Sequence, residues 1–225
     1  ILHNQDFKST KTKKVDLKAS FDVIILASEN PEIIKTGRFS RGGEFARFFA
    51  SQMPPEYEGG IGQEGVDALK AFVEAGGILV TLNQASELAM SELGAPARNS
   101  LSGVDRSKFF CPVSILRLKV DNTTPLGYGL GEEAAALFNQ SLALDTWAPT
   151  SSKTNRKVVA YYPEDNILLS GWLLGEEYLS RKAAVVDVKS GLGHIALVGF
   201  RAQHRAQSHG TYKFVLNAIF YPEGM

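Results

Sequence analysis

The sequence predicts a single α/β domain with a three-layer, mostly parallel sheet and β-hairpin additions, and three observations predict this fold class. An amphipathic helix over residues 62–75 is followed at once by the apolar run 78–82. A second apolar strand, residues 21–27, precedes that helix. Toward the C-terminus, apolar segments are separated by polar turns. A strand–helix–strand order gives parallel strands with a right-handed crossover, whereas short strands between turns indicate antiparallel hairpins.

The helix at residues 62–75 is the best-defined element. Glu64 lies in its first turn, where the helix dipole favours negative charge. Gly76 and Gly77 end it, because glycine accepts the left-handed conformation common at helix ends. The strand that follows is apolar throughout, which is typical of a strand covered on both faces. The apolar residues of the helix recur at helical spacing: Ile61, Val66, Leu69, Phe72 and Val73.

The remaining elements follow from apolar patterning and turn residues. Residues 86–93 form a predicted helix that Gly94 and Pro96 close. The last helix is predicted over residues 211–221, with Phe214, Val215, Ala218 and Ile219 buried. A short helix is predicted at residues 43–52, inside a Gly-, Arg- and Phe-rich segment near the carboxyl edge of the sheet. The predicted strands are 115–120, 142–147, 157–162, 167–171, 183–188 and 194–200, with a segment of unassigned type at 132–138 and a hairpin turn at 189–193.

Composition sets limits on the class of protein. The 225 residues are 44% hydrophobic and 21% charged, with zero net charge, so we expect one globular domain spanning residues 1–225. Zero net charge gives no long-range attraction to nucleic acid, and the Lys-rich segment 8–18 is interpreted as an exposed loop. No apolar run approaches the ~20 residues of a membrane span. The chain begins at Ile1 without a signal segment, so we expect it to be a fragment of a longer protein.

The turn after the strand 78–82 is the first candidate site. In α/β hydrolytic folds a nucleophile often occupies such a strand-to-helix turn, beside backbone N–H donors. Here the turn holds Leu82, Asn83 and Gln84, and Ser86 lies outside a G-x-S-x-G pattern. Amides donate hydrogen bonds but are not nucleophiles. The turn is therefore predicted to bind a ligand, with Asn83 as a candidate contact, and not to carry catalysis.

The second candidate site is the polar loop between the last strand and the last helix. Arginine forks and helix-end N–H groups both favour anions, so the loop fits a carboxylate or other anion. The alternative is that Arg205 and the glutamine side chains tie down neighbouring loops while Ser208 or Thr211 caps the helix. Zinc is not expected here, because no cysteine or carboxylate lies close in sequence. The candidate ligand-binding residues are Arg201, Gln203, His204, Arg205, Gln207, His209 and Thr211.

The third candidate is Cys111, the single cysteine, which cannot form an internal disulfide. Its neighbours Phe109, Phe110 and Pro112 predict a buried structural thiol, since apolar surroundings raise a thiol's pKa and suppress its reactivity. Cys111 with His204 or His209 is the alternative catalytic pairing. A carbohydrate- or peptide-binding surface is a further alternative, formed by Tyr57, Trp147 and Trp172. The Phe-rich stretch 45–49 fits either a pocket or the core.

Four segments resemble a known region of bacterial proteins: PPEYEGGIGQEGVDALKAFVEAGGILVTLN, FFCPVSILRLKVD, LLSGWLLGEEYLSRKAAVVDV and GFRAQHRAQSHGTYKFVLNAIFY. They are similar to the C-terminal class I glutamine amidotransferase-like domain of proteins that carry an N-terminal, M14-type zinc carboxypeptidase-like domain. The resemblance covers residues 21 to 221. It implies a flavodoxin-like core, an export to the periplasm or outside, and a zinc site in the N-terminal domain only.

The resemblance also has implications for the site and its partners. It implies a cysteine at the turn near Leu82 and Asn83, with a later histidine, and the chain departs from that pattern. The fold also resembles the β-galactosidase domain that serves in oligomer contacts. We therefore expect a non-catalytic accessory domain without a cofactor of its own. Its partner would be the peptidase-like domain or a second copy of the chain. The alternatives are a hydrolase with a Cys-His site and a binding module.

Overall fold

The helices and strands are defined for residues 16–37, 59–205 and 208–221, which a computed structural model describes. The helices are α1 Leu17–Ser20, α2 Pro31–Thr36, α3 Gly62–Glu74, α4 Ser86–Glu92 and α5 Tyr212–Ile219, with 3-10 turns at Asn83–Ala85, Glu176–Tyr178 and His209–Thr211. The strands are β1 Val23–Leu26, β2 Ile78–Leu82, β3 Ala97–Asn99, β4 Ser114–Val120, β5 Glu133–Phe138, β6 Leu144–Thr146, β7 Thr154–Tyr161, β8 Leu168–Ser170, β9 Ala183–Ser190 and β10 Gly193–Val198. Predictions for residues 1, 8–15 and 38–57, including the helix 43–52, lie outside the described residues.

All ten strands belong to one mixed sheet. Its main path runs β1-β2-β10-β9-β7-β4-β5, with β8 paired to β4, β6 to β9, and β3 to β6. The predicted parallel β1-α3-β2 unit is confirmed, and β10 adds a second parallel pair to β2. Every other pairing is antiparallel. The mostly parallel arrangement thus describes the β1-β2-β10 part, while the antiparallel strands are the additions.

Strand β2 has both faces covered. Leu79 and Val80 are fully buried and point to opposite faces, because side chains alternate along a strand. Leu79 packs in a core cluster with the apolar residues of α3 and α4, and Val80 in a second cluster with Phe214 of α5. This arrangement explains the unbroken apolar sequence of the strand. The more specific flavodoxin-like layering stays a prediction.

The antiparallel part corrects one prediction. Strands β6, β7 and β8 are antiparallel as expected, but they do not form hairpins with one another. Instead β7 pairs with both β4 and β9, β8 pairs with β4, and β6 pairs with β3 and β9. The reason lies in β4, whose alternate residues are buried. The backbone groups along both edges of such a strand need hydrogen-bond partners, and β5, β7 and β8 supply them.

The C-terminal elements agree with prediction in type and order, but Val215 is only half-buried and Ile219 departs from prediction. β9 and β10 form the expected antiparallel hairpin. In α5, Phe214 and Ala218 are buried as predicted, but Ile219 is exposed. Each helical residue turns about 100° from the last, so Ile219 points away from the sheet that its neighbour Ala218 contacts. Within the described ranges no helix has the length and apolar character needed to cross a membrane.

Candidate functional site

The turn that follows β2 places Asn83 at the carboxyl edge of the sheet. Strand β2 ends at Leu82, and Asn83 begins the 3-10 turn that leads into α4. Asn83 is fully buried and has a φ of 52°, in the left-handed region. Asparagine is among the few non-glycine residues that adopt this conformation routinely. The turn therefore has a sharp, strained backbone, with an amide side chain directed into the protein.

One side of the Asn83 amide is bonded and the other is not. Nδ2 donates to Ser28 Oγ at 3.0 Å and to the Gln140 carbonyl at 3.4 Å. Because a carbonyl can only accept, the nitrogen must face Gln140 and Oδ1 must face the other way. Oδ1 is the one buried side-chain N or O atom without a hydrogen-bond partner in the described part of the chain. Leaving such an acceptor unpaired costs about 1–3 kcal/mol.

A loop between β5 and β6 joins Asn83 to the second predicted site. Gln140, which accepts from Asn83, also has a left-handed φ, of 51°. The preceding carbonyl, that of Asn139, accepts from Arg201 Nε at 3.3 Å. Arg201 follows β10 by three residues and is half-buried. The turn and the polar loop were predicted as separate sites, but Asn83 and Arg201 donate to the carbonyls of consecutive residues. The two predicted sites are therefore adjacent.

The charge of the Arg201 guanidinium has no counter-ion among the described residues. No ion pair in the described ranges includes it. Two left-handed non-glycine residues, Asn83 and Gln140, contact each other beside this cation. Such strained residues often cluster at ligand sites. The arrangement offers an unused acceptor, a hydroxyl at Ser28 and a positive charge at one edge of the sheet.

Sequence reasoning did not identify Ser28 or Gln140 as site residues. A signal existed for Ser28, which follows the first strand by two residues. The carboxyl ends of parallel strands meet at one edge, so a polar residue there should lie near Asn83. No comparable signal existed for Gln140. Its position depends on the antiparallel pairing of β4 with β5, which brings the loop after β5 to this edge.

The polar loop after Arg201 is divided between structural and exposed residues. Thr211 is buried, and its hydroxyl lies 2.8 Å from the Ala202 carbonyl and 2.7 Å from that of Ser208. Thr211 therefore ties the loop together, a role that the structural interpretation had given to Arg205 and the glutamines. Neither Ser208 nor Thr211 caps the helix with its side chain, so that part of the interpretation is wrong. Thr211 is already bonded within the loop.

The other candidate residues of the polar loop differ in their exposure and in their contacts. Gln203, Arg205 and His209 are exposed, and His204 is half-buried. The His209 ring packs edge-on against Tyr212, with centroids 5.4 Å apart. The candidates Gln207 and Tyr57 lie outside the described residues. Of the described candidates in the polar loop, Arg201 alone has a hydrogen bond to the Asn139–Gln140 loop.

Ser86, three residues after Asn83, is part of the architecture. Its hydroxyl accepts from Thr81 Oγ1 at 2.9 Å, and it lies 3.1 Å from the Thr81 carbonyl to which it donates. Both residues are fully buried. With its donor and one lone pair in use, the Ser86 hydroxyl fastens the start of α4 to the end of β2.

Cys111 lies in the larger core cluster, apart from the described loop contacts. The thiol is buried, and burial raises its pKa, while a hydrogen bond from Ser114 opposes the rise. No hydrogen bond in the described part joins Cys111 to a histidine, and the Cys-His pairing stays a prediction. Trp147 and Trp172 are exposed, at the ends of β6 and β8. Among the described residues, no group of three His, Cys, Asp or Glu side chains could hold a metal ion.

A second polar cluster lies at the opposite, amino end of β10. Asp187 accepts from Tyr221 OH at 2.7 Å and lies 3.0 Å from His194 Nδ1. The His194 and Tyr221 rings are 4.4 Å apart between centroids. Burial, followed by the Asp187 carboxylate, raises the pKa of Tyr221. In contrast to Asn83, the oxygens of Asp187 both have partners.

The comparisons with known proteins bear on the fold. No protein-family model matches the chain, and no curated protein matches it. Among solved structures, the cytoplasmic protein STM3548 from Salmonella typhimurium superimposes with a TM-score of 0.52 at 11% identity, over 97% of this chain and 78% of that one. A ThuA-like protein from Bacteroides uniformis gives 0.41 at 14%, over 92% and 69%. A GMP synthase protein from Thermoplasma acidophilum gives 0.43 at 9%, over 70% and 63%.

These similarities concern the fold alone, because the identities are low. Of the three, the Salmonella protein carries the comparison, since its TM-score exceeds 0.5. The chain's structural neighbours also include the ThuA-like protein and the GMP synthase protein, at lower TM-scores. Association with a carboxypeptidase-like domain stays a prediction. The chain thus has a mixed α/β fold similar to that of the Salmonella protein.

Proposed function

We propose that this chain is a non-catalytic accessory domain of a secreted zinc carboxypeptidase-like protein, where it serves in packing and in holding a small ligand. The observation that carries the proposal is Asn83. It occupies the strand-to-helix turn where the resemblance implies a cysteine, and its left-handed φ of 52° resembles that of a nucleophile's turn. The backbone geometry of such a site is present, but an amide cannot form the covalent intermediate.

The neighbouring hydroxyl does not replace the nucleophile. Activation of a serine needs a base within hydrogen-bond reach, and Ser86 is bonded instead to Thr81 and the strand carbonyls. Cys111 lies in the apolar core, where its raised pKa lowers its reactivity. Both facts support an accessory role over the alternative of a hydrolase.

Helix α5 supports the packing part of the proposal. Leu216 and Phe220 are 48% and 79% exposed and lie four residues apart, with exposed Ile219 beside them. Residues at this spacing form one stripe on a helix. The backbone of Tyr128, whose side chain is also exposed, is bonded to the same helix, because Asn217 Nδ2 donates to the Tyr128 carbonyl at 2.8 Å. Exposed apolar residues of this kind suit a protein partner.

Turnover assays test the absence of catalysis. The purified chain would be incubated with L-glutamine, p-nitrophenyl acetate and a C-terminal dipeptide substrate, with and without zinc. We expect rates equal to those of protein-free blanks. Turnover by the chain that is lost in Cys111→Ser, His204→Asn or His209→Asn would overturn the proposal, since it would assign a Cys-His site.

Sedimentation velocity tests the packing surface. If the α5 stripe contacts a second copy, the chain sediments as an oligomer, and Leu216→Lys with Phe220→Lys converts it to a monomer. If its partner is the peptidase-like domain, the double variant weakens that association instead. Leu192→Lys is the matched control, because Leu192 is 78% exposed in the β9–β10 turn. Equal effects of the control and the double variant would contradict a packing role for α5.

A further inference from the structure

We propose that the carboxyl edge of β1, β2 and β10 binds a small hydroxycarboxylate. In this complex the ligand's hydroxyl lies between Asn83 and Ser28, and its carboxylate lies on Arg201. This proposal rests on the proposed accessory role in one respect, because it takes the chain to bind the ligand without converting it. The starting observation is the unpaired Asn83 Oδ1, an acceptor in a fully buried side chain.

The bonded side of the amide determines what the free side can accept. Nδ2 is held by Ser28 Oγ and the Gln140 carbonyl, so the amide cannot rotate to pair its oxygen without losing both bonds. Oδ1 therefore requires a donor from outside the described residues. A buried acceptor without a donor is destabilising, so a molecule that supplies one gains affinity from relief of that cost.

Ser28 limits the ligand group to one that both donates a hydrogen bond and accepts one. Its oxygen accepts from Asn83 Nδ2, which leaves the serine hydrogen free to donate. A ligand hydroxyl can accept this hydrogen and donate its own to Oδ1. An ammonium group can only donate.

Arg201 supplies the charged half of the recognition. Its Nε is fixed by the Asn139 carbonyl, while its other nitrogens have no partner in the described ranges. A guanidinium that is half-buried and unpaired favours a carboxylate, which it can bind through two parallel hydrogen bonds. Asn83 and Arg201 donate to the carbonyls of consecutive residues, Gln140 and Asn139, so both side chains contact one short loop at the same edge of the sheet.

Isothermal titration with four-carbon acids tests the inference. The probes are 2-, 3- and 4-hydroxybutyrate, with butyrate lacking the hydroxyl, the aminobutyrates replacing it, and 4-hydroxybutyramide lacking the charge. We expect at least one hydroxybutyrate to bind at least tenfold more tightly than butyrate, its aminobutyrate and the amide. The three hydroxyl positions measure the separation between Asn83 and Arg201.

Matched variants assign the binding to these side chains. Arg201→Gln and Ser28→Ala should each weaken the best hydroxybutyrate at least tenfold, whereas Arg106→Gln, at an exposed arginine outside the candidate site, should leave it unchanged. Circular dichroism would verify that each variant is folded. Equal binding by butyrate, tighter binding by an aminobutyrate, or equal losses in Arg201→Gln and Arg106→Gln would overturn the inference.

Two outcomes separate this inference from the proposed function. Consumption of the bound hydroxybutyrate, followed by proton NMR, would overturn the accessory role while binding itself stood. If no probe binds and a crystal structure shows only a water on Asn83 Oδ1, the ligand inference fails. That result would leave the absence of turnover, and hence the accessory role, intact.

Discussion

The two polar clusters at opposite ends of β10 differ in how completely their hydrogen bonds are formed. At the amino end, both oxygens of Asp187 have hydrogen-bond partners, and the His194 and Tyr221 rings pack against each other. At the carboxyl end, Asn83 has two bonds through its nitrogen and none through its oxygen. The first cluster is complete within the protein and fastens the end of α5 to the sheet. The second requires a partner, and this contrast distinguishes a structural polar group from a binding group.

Removing the carboxylate of the complete cluster should have the largest effect. Asp187→Ala leaves His194 Nδ1 and Tyr221 OH without their acceptor in a largely buried setting. We expect a loss of about 2–3 kcal/mol in the free energy of unfolding, measured by urea denaturation. Asp187→Asn retains one acceptor and should lose less. If Asp187→Ala costs no more than Asp22→Ala, whose carboxylate is 89% exposed, the cluster is not structural.

Substitution of Asn83 should separate its backbone from its side chain. Asn83→Val places a β-branched residue at a φ of 52° and should cost about 2 kcal/mol. Asn83→Gly relieves the strain and removes the unpaired acceptor, which offsets the lost Nδ2 bonds. We therefore expect a change within about 1 kcal/mol. Urea denaturation of both variants measures the difference. Equal losses would show that the side chain's bonds, and not the turn, determine stability here.

Alkaline pH should weaken the complete cluster by a smaller amount. The pKa of Tyr221 is raised in the folded protein by burial and by Asp187, so the folded state keeps its proton at a pH where the unfolded state has lost it. Its contribution is present below the unfolded pKa of about 10 and falls as pH rises above that value. The free energy of unfolding, measured from pH 8 to 11, should decline less steeply in Tyr221→Phe than in the unsubstituted chain.

Tyr162 provides the control for this pH dependence. It is fully buried, its OH donates to the Leu142 carbonyl at 3.0 Å, and burial raises its pKa as well. The alkaline decline should therefore persist, reduced, when Tyr221 is replaced. A decline identical to that of the unsubstituted chain would mean that Tyr221 ionises as freely in the folded protein as in the unfolded one.

The parallel part of the fold was predictable because its signals are local. The apolar run of β2 and the amphipathic pattern of α3 define the crossover unit without reference to other strands. The pairing of β6, β7 and β8 was not predictable, since it depends on which distant strand edges are free. Asn83 was identified from its place after β2, whereas Gln140 depends on the β4–β5 pairing.

The parallel pair of β2 with β10 has a consequence for how the molecule reaches its native state. Thr81 and Ala196, which that pairing brings within 3.3 Å, are 115 residues apart along the chain. The β9–β10 hairpin closes over a short turn, but the contact with β2 must close a far longer loop, at a higher cost in chain entropy. Asn83 follows β2 and Arg201 follows β10, so the two residues reach the same edge of the sheet only when these distant strands pair. Ligand affinity would therefore report on late assembly, and a partly folded chain with an intact hairpin would still lack the paired Asn83 and Arg201 contacts.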